Sequence, residues 1–177
     1  MDEKNMLGLL SGQLQLIPYE PAWPRLFLAE KERLFASLGN VVLDIQHIGS
    51  TSIPGMPAKP ILDIGVAVHN FEEAGRCVPL LEQLGYVYKG ENGIPRRHYF
   101  VKGEPRTHHL HMLEIASGEW KHHLLFRDYL HNNAKVAQAY ADLKQTLATQ
   151  YAADREAYQN GKESFIQTVL QQASEKA

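Results

Sequence analysis

The sequence predicts an α+β fold, a mixed β-sheet covered by helices, and three observations carry that reading. Short runs rich in β-branched residues and bounded by Gly or Pro crowd the chain before Ser117. Helical periodicity takes over from Ser117 onwards. No repeat of fixed period and no low-complexity tract breaks either part. At 177 residues and 44% hydrophobic composition the chain has the size of one domain with an ordinary core. Residues 1–177 therefore read as a single domain, with a sheet-containing core over about 40–116 and a helical part over about 117–175.

Each element follows from its own pattern. Trp23, Leu26, Phe27, Leu34 and Leu38 recur at helical spacing between Glu20 and Gly39, with Pro24 tolerated in the first turn and Gly39 as a stop. VVLDIQHI (41–48) and ILDIGVAV (61–68) predict strands joined by a loop. FEEAGRCVPLLEQLG (71–85) returns to helical spacing, and Pro79 bends or divides it. YVY, RHYFVKG and THHLHMLEI then predict three strands separated by turns. Beyond Ser117, Val136, Tyr140, Leu143, Leu147 and Tyr151 fall on one stripe, and Phe165, Ile166, Val169, Leu170 and Ala173 on another. Asn132-Asn133 and Gly161 are the expected interruptions.

Composition narrows the function classes. Twenty acids against 18 basic residues give a net charge of −2, which excludes the electrostatic footprint of a nonspecific nucleic-acid binder. Cys77 is the single cysteine, so no intrachain disulfide forms, and it reads as a buried helix residue. The start, MDEKNMLGLLSGQL, fails as a signal peptide, and no apolar run approaches membrane-spanning length. A cytoplasmic, soluble protein without a membrane partner is the expectation.

The connection HIGSTSIPGMPAKPILDI raises the functional question. It is not a P-loop: Gly49 and Gly55 are separated by five residues, Lys59 is followed by proline, and the loop runs into a strand. Gly49, Ser50, Thr51 and Ser52 can still offer N–H and hydroxyl donors to an anion, or merely cap a turn. Asp63 sits in a strand that is otherwise apolar on both faces, where an unpaired carboxylate is costly. Its partner is a loop hydroxyl, Lys59, a histidine or a divalent metal, and structural and functional roles both account for it.

Nine histidines is a high number, and three lie in RTHHLHM. Alternation puts His109 and His111 on one face and His108 on the other. Such a pair can share a metal or a phosphate with a neighbouring carboxylate, or can simply be held by hydrogen bonds. His122, His123 and His131 are expected at solvated or interfacial helix positions. Arg96 and Arg97 could bind phosphate or solvate a turn. Arg127 and Asp128 are adjacent and predicted to point apart, each anchoring the helix to a different neighbour. Tyr140 with Lys144, and Tyr158 with Lys162, are spaced i, i+4, which usually means stem packing with the ammonium in solvent.

Taken together, YEPAWPRLFLAEKERL, HIGSTSIPGMPAKPILDI, HHLHM, LLFRDYLHNN, AYADLK and the Y-x-x-x-K-x-x-F of Tyr158 to Phe165 resemble the GrpB family, placed among the nucleotidyltransferase-like proteins. That resemblance implies a nucleotidyltransferase-like sheet. It implies a phosphate loop at Gly49, Ser50 and Thr51, joined by Lys59, Arg97 and Lys162 as nucleotide-binding candidates. It implies Asp63 and His111 as catalytic candidates, and His47, Asp63, His109 and His111 as ligands of a divalent metal, Mg or Mn. The family's usual D-x-D is here Asp63-Ile64-Gly65, so the second acid is missing. Two functions follow as expectations: a metal-dependent nucleotidyl or phosphoryl transferase, or a binding domain for a nucleotide, a coenzyme A-like ligand or a protein. GrpB-like domains also occur fused to dephospho-coenzyme A kinase. A third reading has the loop and Asp63 only bracing the sheet.

Overall fold

A computed structural model describes residues 6–176. The acids at positions 2 and 3 lie outside the described residues. All five expected strands form: β1 (Val42–Ile48), β2 (Leu62–Val68), β3 (Tyr86–Tyr88), β4 (His98–Lys102) and β5 (His108–Glu114). They make one mixed sheet in the order β1-β2-β5-β4-β3, parallel between β2 and β5 and antiparallel elsewhere. Register decides what each face carries. Asp63 lies opposite Ile48 in β1 and His109 in β5, while Gly65 lies opposite His111. With side chains alternating along each strand, Asp63, Gly65, His109, His111 and Tyr99 share one face, and His47, Ile64, Phe100 and Leu110 share the other.

The second face is covered by α1 (Trp23–Leu38) and α3 (Val78–Gln83). Trp23, Phe27 and Leu34 pack there with Ile45, Ile64 and Phe100 in the main core. Pro79 does divide its segment, occupying the first turn of α3 after the short α2 (Phe71–Ala74) and a tight turn at Gly75–Cys77. Cys77 is buried.

The first face is closed by the helical half. Ser117 accepts from the Trp120 N–H at 3.2 Å and so caps α4 (Gly118–Asn132). Trp120 then packs on Ala67 and Leu113. Asn133 separates α4 from α5 (Ala134–Gln150), as expected. Gly161 does not interrupt: α6 runs unbroken over Arg155–Lys176, and the break falls earlier, where Asp154 accepts from the Ala157 N–H at 3.0 Å. A Cβ on Gly161 would stand 2.6 Å from Leu147 Cδ2, so the glycine serves the close approach of α5 and α6. Ile53 and Met56, from the loop between β1 and β2, are buried with Leu130, Tyr140 and Val169. The helical half therefore grips that loop from outside.

Arg127 and Asp128 do not part as expected. Arg127 donates to Gln46 Oε1 and to the His47 carbonyl, tying α4 to β1, and its Nε also meets Asp128 Oδ1 at 2.7 Å. Among the described residues no helix is long and apolar enough to cross a membrane.

Candidate functional site

Between the Asp63 face of the sheet, the 49–59 loop and helices α4, α5 and α6 lies a cleft of about 700 Å³. Gly49 opens the loop at φ +70°, and a Cβ there would fall 2.7 Å from Asp63 Oδ2. Glycine is thus required both for the turn and for the closeness of the loop to the carboxylate.

At the floor, His109 Nδ1 and His111 Nε2 each lie 3.3 Å from Asp63 Oδ1. A carboxylate oxygen only accepts, so both nitrogens carry the proton. Arg97 fixes this for His111: its guanidinium donates to Nδ1 at 3.3 Å, which leaves the proton on Nε2. The chain Arg97–His111–Asp63 is therefore directional. Burial pushes the Asp63 pKa up, but the hydrogen bonds from His109 and His111 outweigh it and hold the carboxyl well below its ordinary range.

Seven lysines and arginines line the cleft, against two carboxylates, Asp63 and Glu119. Lys144 is 2% exposed; its ammonium donates to Ser50 Oγ at 2.9 Å and to the Pro57 carbonyl, and lies over the Tyr140 ring. Lys162 and Lys59 both lie over the ring of Tyr158, at 4.4 and 5.7 Å from its centroid. Burial first, and then the neighbouring ammonium groups, bring Lys144 and Lys162 down to about 7. The stem-packing expectation for the two Tyr–Lys pairs fails here, because both ammonium groups turn into the cleft instead of solvent. Arg106 and Arg155, unmarked by any sequence pattern, complete the basic wall, and Arg106 Nε is buried without a partner among the described residues.

The expected site is thus partly assembled. Gly49, Ser50, Lys59, Asp63, Arg97, His109, His111 and Lys162 do line one cavity. His47 does not join them as a metal ligand: its side chain stands on the opposite face, stacked on Phe27 at 4.8 Å, with Nε2 2.9 Å from Thr51 Oγ1. That bond also occupies the Thr51 hydroxyl, although Thr51, 1% exposed, lines the cleft with Gly49 and Ser50. Arg97 is held by the Glu91 and Asn92 carbonyls, so it positions His111 more than it offers a free fork. Arg96 pairs with Glu72 and Glu114 on the outside. Of the solvated and interfacial positions expected for His123 it takes the interfacial one, facing His111 with ring centroids 5.3 Å apart, its Nε2 3.7 Å from Glu119 Oε1 and without a hydrogen-bond partner among the described residues.

The donor set does not fit a two-metal centre. Among the described residues no group of three His, Cys, Asp or Glu side chains is arranged to hold an ion. Where a second acid would stand, a Cβ on Gly65 would lie 3.0 Å from Trp120 Cζ3 and 3.5 Å from Ile48. Packing, as well as sequence, opposes a second carboxylate at this position.

Comparison with known proteins follows the same lines. The family profile described as GrpB protein matches residues 13–172. A UPF0157 protein of Pseudomonas aeruginosa is 41% identical over 166 residues, covering 91% of this chain and 68% of its own length. UPF0157 protein YqkA of Bacillus subtilis is 43% identical over 162 residues, 91% of this chain, which spans only 47% of that relative. The crystal structure of conserved protein GrpB from Enterococcus faecalis superposes with a TM-score of 0.85 at 36% identity, covering 92% of this chain and 98% of that one. More distantly, a dephospho-CoA kinase of Mycolicibacterium paratuberculosis is 25% identical over 186 residues, 90% of this chain and 46% of its own.

Proposed function

The chain belongs to the GrpB family, and from that premise we propose that its basic cleft binds a nucleotide or similar polyphosphate small molecule and transfers one of its phosphoryl or nucleotidyl groups. One observation carries the reading: a chain of net charge −2 gathers seven of its 18 basic side chains in one cavity with two carboxylates. Cations partly withdrawn from water attract anions far more strongly than exposed ones. A polyphosphate satisfies them.

In this reading Lys59, Lys144 and Arg155 neutralise phosphate charge, Lys162 lies within reach of the same ligand, and the loop at Gly49 and Ser50 lies beside them. Asp63, kept ionised by its histidines, accepts a hydrogen bond from the acceptor hydroxyl and orients it. Arg97 keeps His111 in the tautomer that holds Asp63 in place. The likeness to a dephospho-CoA kinase supports including coenzyme A-like molecules among the ligands.

The test is a thermal-shift panel of pyrophosphate, nucleoside triphosphates and coenzyme A, each with EDTA and with Mn²⁺. A ligand at one hundred times its Kd adds about 2.7 kcal/mol, worth about 2 to 4 °C per kcal/mol at this size. Polyphosphates are expected to raise Tm with EDTA present, and release of pyrophosphate or phosphate should stop in Asp63→Asn. A panel in which no polyphosphate moves Tm refutes the reading.

A further inference from the structure

Two-metal transfer makes its nucleophile from a hydroxyl with the help of bridging carboxylates, and Gly65, crowded by Trp120, supplies none. Amines line the cleft instead. Lys59 and Lys162 share the face of Tyr158, and among the described residues no hydrogen bond or ion pair joins either amine to an acceptor. Lys144 differs, since Ser50 Oγ and the Pro57 carbonyl hold its protons. Two ammonium groups over one ring, with a third nearby, repel one another, and the arrangement is relieved when one sheds its proton. Lys162 is the amine so placed: burial and Lys59 bring it down to about 7, with Asp63 opposing from the floor. A desolvated lysine beside another cation is a recognised way to obtain a neutral nucleophile near neutral pH.

We propose that Lys162 Nζ attacks a phosphorus atom of the phosphoanhydride held in the cleft and forms a covalent lysyl phosphoramidate. The nitrogen lone pair makes the N–P bond. The bridging P–O bond breaks, its electron pair leaves on pyrophosphate after attack at the α-phosphorus or on the nucleoside diphosphate after attack at the γ-phosphorus, and the nitrogen gives up one proton to that group or to water. In the second half the acceptor hydroxyl, oriented by Asp63, forms the O–P bond while the N–P bond breaks, and the lysine nitrogen recovers a proton. Lys144, Arg106 and Arg155 neutralise the phosphate oxygens, without which an anionic phosphorus resists attack. The inference rests on the polyphosphate reading above and adds the nucleophile.

The experiment uses the full chain and the four nucleoside triphosphates, labelled with ³²P at the α or the γ position. After denaturation, acid-labile and alkali-stable label is mapped to peptides. Label confined to the peptide carrying Lys162, lost in Lys162→Arg and kept in Lys121→Arg on the outer side of α4, is the expected result. Retention of α label identifies a nucleotidyl intermediate and retention of γ label alone a phosphoryl one, and both support the proposal. The wild-type peptide map decides whether or not Lys162→Arg folds. A nucleotide that raises Tm but leaves no label overturns the lysine nucleophile and spares the binding reading. Label of equal amount in Lys162→Arg overturns it too. Absence of both shift and label removes binding and nucleophile together.

Discussion

At the scale of single residues, position 49 and position 63 are coupled. Gly49→Ala combines a left-handed backbone with a Cβ 2.7 Å from Asp63 Oδ2, and a loss of about 1–3 kcal/mol is expected in urea unfolding. Asp63 itself shapes the acid limb of the stability curve. Its folded pKa lies below the unfolded value, so its contribution is present above about pH 4 and fades as pH falls towards the folded value. Asp63→Asn should flatten that part of the curve. On the other face, His47 and His108 are both brought by burial to about 4. Between about 6.5 and 4 the unfolded chain takes up their protons and the native chain does not. Stability should therefore fall as pH drops through that window, and His47→Gln should reduce the slope of Tm against pH.

At the scale of elements, most of the fold was legible because the strands are β-branched runs bounded by Gly or Pro and α1 carries a helical apolar stripe. Gly161 was misread because a glycine inside a helix looks like a stop, whereas its reason is Leu147 on the neighbouring helix, 14 residues earlier and invisible to local pattern. Gly161→Ala should lose stability through overpacking by roughly 1 kcal/mol net of the helix propensity it gains. In a Leu147→Ala background the same change should stabilise, and a double-mutant cycle in urea reads the coupling. Asp63, His109 and Lys59 could be marked from sequence because polar residues in apolar strands and proline-rich loops stand out. The lysines on α5 and α6 could not be placed by the same logic. Y-x-x-x-K is ordinary on a helix, and only its repetition on two helices, at Tyr140/Lys144 and Tyr158/Lys162, held a signal: two equal motifs converging on one loop. Arg106 and Arg155 carried none.

At the scale of the whole molecule, the cleft is an electrostatic cost that a ligand relieves. Lys162 is charged in the folded chain below about pH 7 and in the unfolded chain up to about 10.5. The unfolded state binds the extra proton between those values, so stability rises with pH across the window. Lys162→Met should accordingly raise Tm in the absence of anions, most clearly below pH 7, while shrinking the shift produced by pyrophosphate. Sulfate, ionised throughout, should stabilise the wild type more at pH 6 than at pH 9. A Tm that falls in Lys162→Met would mean that the amine braces the fold.

The concentration of seven basic groups in the cleft leaves 11 for the rest of the chain, against 18 of its 20 acids. Outside the cleft the chain is therefore net negative, in contrast with the basic lining. Such a surface acts as a size filter for phosphate: a small polyphosphate passes the rim and gains the interior field, whereas a nucleic-acid polymer, whose remaining charges must lie along the outer wall, is repelled over its whole length. Added salt would blunt this discrimination from both sides, weakening the small ligand and readmitting the polymer.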